Sequence, residues 1–331
     1  MSDETLTTDV IIVGAGPTGL YGAYYAGFRG LSTIVVDALP QVGGQVMAMF
    51  PEKMIRDVAG IPNIRGRDFV TNLKQQADTY SPTYILGRQV TELTYDATQS
   101  PIVTLDNGTE IHAGAVVLTA GIGTPKPRPL GVGDEWLDTA LSYFVLDPQT
   151  HLGQDMVIVG GGDSALDWAE TLAPIASSVT IVHRRATFRG HAATLERINA
   201  LENTRILTES EIISLEGDIG SQRLEKITIR NSSGTEKILS VNHIVAALGF
   251  ISNLGPLNSW GLTLRGRSVE VDRAGRTNLT GVFAAGDLTE YDGKIKLMSV
   301  GFGEVASVMN HVAVELDPEL TLFPGHSTDE S

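Results

Sequence analysis

Asp9-Val10-Ile11-Ile12-Val13-Gly14-Ala15-Gly16-Pro17-Thr18-Gly19, near the start of the sequence, decides the fold class. Its first five residues form an apolar, β-branched run that is typical of a buried parallel strand. The glycines that follow have the spacing G-x-G-x-x-G, and residues 20–28 predict a helix. Residues 32–36 predict a second strand, which ends at Asp37. This order of strand, glycine turn, helix, strand and acid indicates a dinucleotide-binding unit.

The residues of this turn have distinct expected roles. Gly14 permits the tight turn, Gly16 lets the backbone approach a pyrophosphate, and Gly19 lets helix and strand pack closely. Pro17 and Thr18 lie at the start of the helix, whose positive N-terminus would face the pyrophosphate. We therefore expect all five residues to bind a cofactor.

The same order recurs in the middle of the chain. Residues 155–159 predict a buried strand, residues 166–173 a helix and residues 179–182 another strand. Gly160-Gly161-Gly162-Asp163-Ser164-Ala165 connects the first strand to the helix, and Ala165 replaces the third glycine, as this turn tolerates. The residues expected to bind a second nucleotide here are Gly160, Gly162, Asp163, Ser164 and Ala165. Asp163 is interpreted as a turn or cap residue and not as a catalytic base.

The two units differ in the charge that follows their second strand. The Asp37 carboxylate can accept hydrogen bonds from a ribose diol and would repel a 2′-phosphate, which favours FAD. His183-Arg184-Arg185, with Arg189 shortly after, stands at the corresponding place in the second unit. Arginine offers a planar fork of donors to a phosphate, which favours NADPH. Neither turn continues into Gly-Lys-Ser/Thr, so kinase and ATPase functions are disfavoured.

The second unit interrupts the first. We expect an FAD-binding domain at residues 1–124 and 250–331 and an NADPH-binding domain at residues 125–249, joined by a proline-rich linker. A strand over residues 281–287, which ends in Gly286-Asp287, and a helix over residues 300–316 would return to the first domain. The predicted fold class is α/β, with two Rossmann-like nucleotide-binding domains.

Composition excludes several classes of function. The net charge of −15 argues against a nucleic-acid partner, and the 42% hydrophobic content argues against disorder. With no cysteine, the chain cannot form a disulfide, a Cys-x-x-Cys redox pair or a cysteine-ligated iron–sulfur cluster. We expect no metal site, no membrane association and a cytoplasmic location, because neither a signal-peptide pattern nor an apolar run of roughly 20 residues is present.

Four motifs occur in the order found in thioredoxin reductase, and together they resemble that family. They are Gly14-Ala15-Gly16-Pro17-Thr18-Gly19, Gly160-Gly161-Gly162-Asp163-Ser164-Ala165, His183-Arg184-Arg185 with Arg189, and Ala285-Gly286-Asp287. That family carries its dithiol shortly before the second glycine turn, where this chain has Tyr143-Phe144-Val145. The chain more closely resembles the bacterial ferredoxin–NADP reductases built on the same scaffold. This likeness rests on Phe50-Pro51-Glu52-Lys53 with Asp57-Val58-Ala59-Gly60, on Lys294-Ile295-Lys296-Leu297 before Gly301-Phe302-Gly303-Glu304, and on His326-Ser327-Thr328.

The resemblance implies roles for individual residues. Asp287 would hydrogen-bond the flavin ribityl chain, and Asp37 and Gln45 would hold FAD. Phe50, at a position where the family often has tyrosine, would stack on one face of the flavin ring. His326, supplied by the partner subunit of a homodimer, would cover the other face. The remaining residues implied in cofactor binding are Gly44, Val90, Gly286 and Ser327. Alternatively, Phe50 is a core residue and His326 lies in a disordered polar tail.

The activity implied is hydride transfer from NADPH to flavin N5, followed by single-electron transfer to ferredoxin or flavodoxin, each bound transiently. An NADPH diaphorase acting on quinones or ferric chelates would share every motif, and the acidic composition slightly favours it. Disulfide reduction would require that the disulfide belong wholly to the substrate. A redox sensor that binds nucleotides without catalysis remains a further alternative.

Overall fold

The computed structural model describes residues 5–123, 126–251 and 253–326. These residues form two compact units: unit 1 comprises residues 5–123 and 253–326, and unit 2 is Lys126–Ile251. Within the described part of the chain, no helix is both long enough and apolar enough to cross a membrane.

The N-terminal part of unit 1 alternates strands with helices and then continues in antiparallel strands. Its strands are β1 (Leu6–Val13), β2 (Thr33–Asp37), β3 (Met54–Ile55), β4 (Ile64–Arg65), β5 (Thr83–Leu86), β6 (Val90–Tyr95), β7 (Pro101–Leu105) and β8 (Glu110–Leu118). Its helices are α1 (Pro17–Phe28), α2 (Gly44–Met49) and α3 (Gly66–Ala77).

Unit 2 follows, and the chain then returns to unit 1. The strands of unit 2 are β9 (Lys126–Pro127), β10 (Leu141–Ser142), β11 (Asp155–Val159), β12 (Ser178–Val182), β13 (Thr204–Leu207), β14 (Ser210–Asp218), β15 (Arg223–Asn231), β16 (Glu236–Ser240), β17 (His243–Ala246) and β18 (Phe250–Ile251). Its helices are α4 (Asp163–Leu172) and α5 (Ala192–Asn199). The C-terminal part of unit 1 contains β19 (Leu264–Arg265), β20 (Ser268–Glu270), β21 (Val282–Ala284), β22 (Thr289–Glu290) and α6 (Met298–Leu316).

The main sheet of unit 1 has the strand order β5-β2-β1-β8-β7-β6, with β21 paired to the end of β8. Strands β5, β2, β1, β8 and β21 run parallel to one another. β7 is antiparallel to the start of β8, and β6 is antiparallel to β7. Val13 lies in register with Val36 and Leu118, so three parallel strands end at one edge. The carboxyl edge of a parallel sheet is where ligands bind in such folds, and the glycine turn, Asp37 and Thr119 all follow there.

Both faces of this sheet are buried. Val10 and Ile12 pack in one apolar cluster with residues of α1 and α6, and Ile11 and Val13 pack in another cluster on the opposite face. Alternate side chains of a strand point to opposite faces, so an apolar residue is needed at every position. This double burial explains the uninterrupted apolar run of the first strand.

The main sheet of unit 2 is fully parallel, with the order β10-β17-β11-β12-β13. A separate antiparallel sheet, β14-β15-β16, packs its apolar side chains into the same core, where Ile227 and Ile229 join Val157 and Ile244. β15 and β16 form a hairpin in this sheet, and β14 is its third strand.

Most predicted elements are present, and their ends differ for local reasons. The strand predicted at residues 155–159 is confirmed as β11. α1 begins at Pro17, three residues before the predicted start, because proline is well suited to the first helical position. α3 ends at Ala77 and continues as a single 3-10 turn, Asp78–Tyr80.

Candidate functional site

The first glycine turn connects β1 to α1 in unit 1. Gly14 has φ +114°, and a Cβ there would lie 2.7 Å from the carbonyl oxygen of Thr119, so glycine is required. Thr119 also donates from Oγ1 to the Gly14 carbonyl at 2.8 Å. Gly16 is the N-cap of α1, no side chain caps the helix there, and a Cβ on Gly16 would meet nothing within 4 Å. The start of α1 can therefore receive a pyrophosphate against backbone N–H groups.

Asp37 ends β2 beside this turn, as predicted. Its Oδ2 accepts the Ala15 N–H at 2.6 Å and its Oδ1 accepts the Leu39 N–H at 2.8 Å. Burial raises the pKa of Asp37, although the two backbone hydrogen bonds act to lower it. Each carboxylate oxygen has a second lone pair, so the fixed side chain can still accept a ribose hydroxyl.

The start of α2 covers the glycine turn. Gly43 donates its N–H to the Ala15 carbonyl at 2.8 Å. A Cβ on Gly44, which has φ +52°, would lie 3.0 Å from the Gly16 Cα, so the two backbones approach closely. Gln45 is partly buried, and its Nε2 lies 3.3 Å from the position of a Cβ on Gly121. The structure thus brings Gly44 and Gln45 to the same turn as Gly16.

The Gly286-Asp287 motif meets this turn from the C-terminal part of unit 1. Gly286 has φ +80°, and a Cβ there would lie 2.9 Å from Thr18 Oγ1. A Cβ on Gly301, in the first turn of α6, would lie 2.8 Å from the same Thr18 oxygen. The starts of α1 and α6 and the Gly286 turn therefore converge on one threonine.

Asp287 is exposed beside this convergence. Partial desolvation is the largest influence and raises the pKa of the Asp287 carboxyl, whereas Lys294 and Lys296 act to lower it and Glu304 acts to raise it. A carboxylate that reaches solvent between two cations and an acid can accept hydrogen bonds from a polyhydroxyl chain.

The two predicted catalytic residues lie in different surroundings. Phe50 directly follows α2 and is half-buried, and the Lys53 ammonium stands 5.4 Å from its ring centroid. His326 is exposed in the C-terminal tail, where its ring packs edge-on against Phe323 with centroids 5.2 Å apart. Val90 has 6% exposure and packs in the core, so only its backbone can contact a ligand. Ser327 lies outside the described residues.

The second glycine turn connects β11 to α4 in unit 2. Gly160 has φ +154° and donates its N–H to the Val182 carbonyl at 3.0 Å. Gly162 is the N-cap of α4, no side chain caps the helix, and a Cβ on Gly162 would meet nothing within 4 Å. Ala165 is fully buried in the third position, and Ser164 stands in the first turn beside it. This turn also presents a helix N-terminus to an anion.

Asp163 is the first residue of α4, and its Oδ1 accepts the His191 N–H at 2.9 Å. That bond ties the loop after β12 to the start of α4. The Arg189 N–H donates to the Gly161 carbonyl at 2.7 Å and holds the same loop from its other side. Asp163 therefore anchors this loop from a residue 28 positions away in sequence, and its side chain does not cap α4.

His183 and the arginines that follow it separate in the structure. The His183 ring is 9% exposed, packs 4.9 Å from the Phe188 centroid and makes a 3.1 Å hydrogen bond from Nε2 with the Thr187 carbonyl. It also fills the space where a Cβ on Gly161 would be. In this run and the loop that follows it, three basic side chains are exposed, those of Arg184, Arg185 and Arg189. The basic run thus consists of one packing residue and three cations available to a phosphate.

Thr119 is a functional candidate that sequence reasoning missed. It is 5% exposed, directly follows β8, and bonds the Val13 carbonyl as well as the Gly14 carbonyl. Its place directly after the apolar run Ala115-Val116-Val117-Leu118 was the one signal available. Among the described residues, no group of three or more His, Asp or Glu side chains is arranged to hold a metal ion.

The model of the pyridine nucleotide-disulphide oxidoreductase family matches residues 8–304. A ferredoxin–NADP reductase of Salinispora tropica is 53% identical over 98% of this chain and 99% of the relative. A protein of the same name from Nocardioides sp. is 50% identical over 100% of this chain and 99% of the relative. Another, from Halalkalibacterium halodurans, is 38% identical over 99% of each chain.

The solved structures show the same fold. The thioredoxin reductase of T. acidophilum superposes with a TM-score of 0.80 at 24% identity, over 95% of this chain and 99% of that one. The thioredoxin reductase of Lactococcus lactis also gives 0.80, at 22% identity, over 95% of this chain and 100% of the other. The predicted fold class and the resemblance are thereby confirmed. The chain belongs to the pyridine nucleotide-disulphide oxidoreductase family, is an oxidoreductase, and falls within its ferredoxin–NADP reductase group on the thioredoxin-reductase fold.

Proposed function

We propose that this chain is an FAD-dependent ferredoxin–NADP or flavodoxin–NADP oxidoreductase in which unit 1 holds FAD and unit 2 binds NADPH. The observation that carries the proposal is the opposite charge beside two otherwise similar glycine turns. Unit 1 places the fixed carboxylate of Asp37 where a ribose is read, and unit 2 places three exposed arginines there. A bare ribose suits the first arrangement and a 2′-phosphate suits the second.

The residues of unit 1 fit FAD. The uncapped start of α1 at Gly16 receives the pyrophosphate, Asp37 accepts the ribose hydroxyls, and Asp287 accepts hydroxyls of the ribityl chain. Phe50 provides an aromatic face and Gln45 an amide next to the turn. When bound there, FAD would supply the redox chemistry that joins a two-electron hydride donor to a one-electron carrier.

The residues of unit 2 fit NADPH. Gly162 and the start of α4 receive its pyrophosphate, while Arg184, Arg185 and Arg189 bind its 2′-phosphate. Asp163 holds the arginine-bearing loop against the helix through its bond to the His191 N–H. The protein binds and orients both nucleotides, and hydride transfer needs no side-chain acid or base. The absence of a recognisable acid–base pair in the sequence is therefore no objection.

Ferredoxin is the proposed one-electron carrier because relatives of up to 53% identity carry it in their name. A cytoplasmic homodimer is also proposed, in which His326 from one subunit covers the flavin of the other. The exposure of His326, in a tail whose Thr321 carbonyl accepts from Arg29 at 2.9 Å, supports that role.

The proposal is tested by electron transfer to a carrier. Purified protein is given NADPH under argon, and reduction of cytochrome c is followed with and without ferredoxin or flavodoxin. We expect reduction that depends on the carrier and saturates with its concentration. Rapid reduction of a quinone or ferric chelate with no response to either carrier would instead indicate the diaphorase, which the net charge of −15 slightly favours because it would repel an acidic carrier.

A further inference from the structure

Three donors converge on one part-buried carboxylate next to the Gly286-Asp287 turn. Glu304, on α6, accepts the Gly286 N–H on Oε2 at 2.8 Å. Its other oxygen accepts the Tyr291 hydroxyl at 2.6 Å and the Lys294 ammonium at 2.5 Å. The Lys294 side chain is 1% exposed and that of Glu304 is 15% exposed. The ammonium of this ion pair is therefore buried and its carboxylate part-buried, whereas both partners of a pair such as Arg230–Glu236 are exposed.

Burial makes the partners of this pair indispensable to each other. A charged group withdrawn from water is strongly unfavourable unless it is paired and hydrogen-bonded. An ionised carboxylate only accepts hydrogen bonds, so Glu304 can receive all three donors at once. The Tyr291 hydroxyl donates to the Glu304 carboxylate, which favours the protonated form of the tyrosine. This hydrogen bond, assisted by desolvation, raises the pKa of Tyr291 to about 12.

The pair acts on a turn that is already tightly constrained. Gly286 lies at φ +80° against Thr18 of α1, and its N–H points to Glu304. Asp287 is the next residue, and Lys294, Lys296 and Glu304 are the charges that influence its carboxyl. Movement of Glu304 would therefore move the backbone that presents Asp287.

We propose that Glu304 and Lys294 are positioning residues that fix the Gly286-Asp287 turn for FAD and set the electrostatic field on the bound flavin. This inference rests on the proposed function, because it concerns the same FAD site. The two residues act through Gly286 and through their charges, and neither is assigned a direct contact with the cofactor.

The test uses the holoprotein and three variants, E304Q, K294M and the double variant K294M/E304Q. Glu315→Gln is the matched control, because Glu315 also lies on α6 and pairs with an arginine, Arg276, but is 41% exposed. Two quantities are measured for each protein. One is the dissociation constant of FAD from apoprotein, followed by quenching of flavin fluorescence, and the other is the midpoint potential of the bound flavin.

E304Q is expected to weaken FAD binding about tenfold or more, because an amide cannot accept from three donors and leaves Lys294 unpaired. K294M/E304Q is expected to recover much of that affinity, since the amide oxygen can then accept from Gly286 while its NH₂ donates to Tyr291. The midpoint potential should follow net charge, because positive surroundings favour the reduced flavin. It should rise in E304Q, fall in K294M and return toward wild type in the double variant.

Glu315→Gln should leave both quantities unchanged. Equal FAD affinities and equal potentials in wild type and all three variants would overturn the proposal. Variants that lose stability but keep the wild-type potential would also overturn it, since they would show a purely structural ion pair. Failure of the wild-type apoprotein to bind FAD would instead refute the proposed function, and that result is obtained before any variant is made.

Discussion

The two glycine turns have similar local geometry but are enclosed in different ways. Around the turn of unit 1, segments from distant parts of the chain converge, since Gly44 approaches Gly16, and Gly286 and Gly301 both pack against Thr18. Around the turn of unit 2, the described contacts come from the loop that follows β12 and from Ala247, just after β17, whose carbonyl oxygen lies against Gly160. The loop after β12 is held by hydrogen bonds to the Gly161 carbonyl and to the Asp163 side chain, and its arginines are exposed.

This difference distinguishes a retained cofactor from an exchanging substrate. A ligand surrounded by several chain segments can leave only if those segments move, and ordering such segments is itself part of binding. A ligand held by exposed side chains on one loop can dissociate without such rearrangement. We therefore expect tight, stoichiometric FAD in unit 1 and rapidly exchanging NADPH in unit 2.

Glycine-to-valine substitution in the first turn should have the largest effect. In Gly19→Val, the new Cβ would overlap the Gly14 carbonyl and lie 2.8 Å from Thr119 Oγ1. We expect flavin content below about a tenth of wild type, since overpacking of this kind typically disfavours the native site by about 1–3 kcal/mol. The ratio of flavin absorbance to protein absorbance measures the flavin content of the purified variant. Gly303→Ala, a helical site where a Cβ meets nothing within 4 Å, is the control.

Removal of the arginines should affect only the second nucleotide. Arg184→Ala with Arg185→Ala should raise the KM for NADPH about tenfold to 100-fold, since charge-assisted hydrogen bonds are worth about 1.5–3 kcal/mol. The KM for NADH should stay within about twofold, because NADH has no 2′-phosphate. Steady-state kinetics with NADPH and with NADH measure the two KM values. Arg230→Ala, which removes an exposed arginine paired with Glu236, should change neither value. Equal increases for NADPH and NADH would contradict the assignment of unit 2.

The two units should also differ in acid sensitivity. Burial, assisted by the nearby His151, lowers the pKa of His243 to about 4, and its Nε2 bonds Ser142 Oγ at 2.9 Å. The folded state therefore favours neutral His243, and this preference stabilises the folded state above pH 6.5. That stability is lost as the pH falls toward 4, by about 2 kcal/mol between pH 6.5 and 5. Urea unfolding of His243→Gln should lack this contribution, whereas His112→Gln, at a half-buried site in unit 1, should retain it.

The smallest expected effect concerns Asp287 in the apoprotein. Desolvation raises the pKa of Asp287, so its protonated form is favoured in the folded state and stability is lost as the pH rises through that pKa. Asp287→Asn should therefore stabilise the apoprotein at pH 7 by less than about 1 kcal/mol, since the side chain reaches solvent. The gain should vanish near pH 4. Asp106→Asn, in an exposed turn, is the control, and a destabilised Asp287→Asn apoprotein at pH 7 would contradict the account.

Local sequence patterns were sufficient to predict much of the fold. A buried parallel strand followed by a glycine turn is encoded within about 20 residues, so β1, β11 and both turns could be found without knowledge of distant contacts. The acid at the end of β2 and the arginines after β12 follow from the same spacing. Short strands such as β19 and β22 could not be found, because two residues carry no detectable period.

Contacts between residues that are distant in sequence limit how much of the site could be predicted. A run of His183-Arg184-Arg185 reads as uniformly basic, and only the packing of His183 against Phe188 separates it from the arginines. The bond from Gly286 to Glu304 joins residues 18 positions apart across a change from turn to helix. No periodicity or motif marks such a pair as buried partners.

The account is tested most directly by reduction of the bound flavin. Protein dialysed extensively to remove free nucleotide is mixed under argon with NADPH or NADH at equal concentration, and bleaching of the flavin absorbance is followed. We predict that the flavin remains bound through dialysis and that NADPH bleaches it much faster than NADH. Loss of flavin on dialysis, or equal bleaching by the two nucleotides, would contradict the division between a retaining first unit and a phosphate-selective second unit.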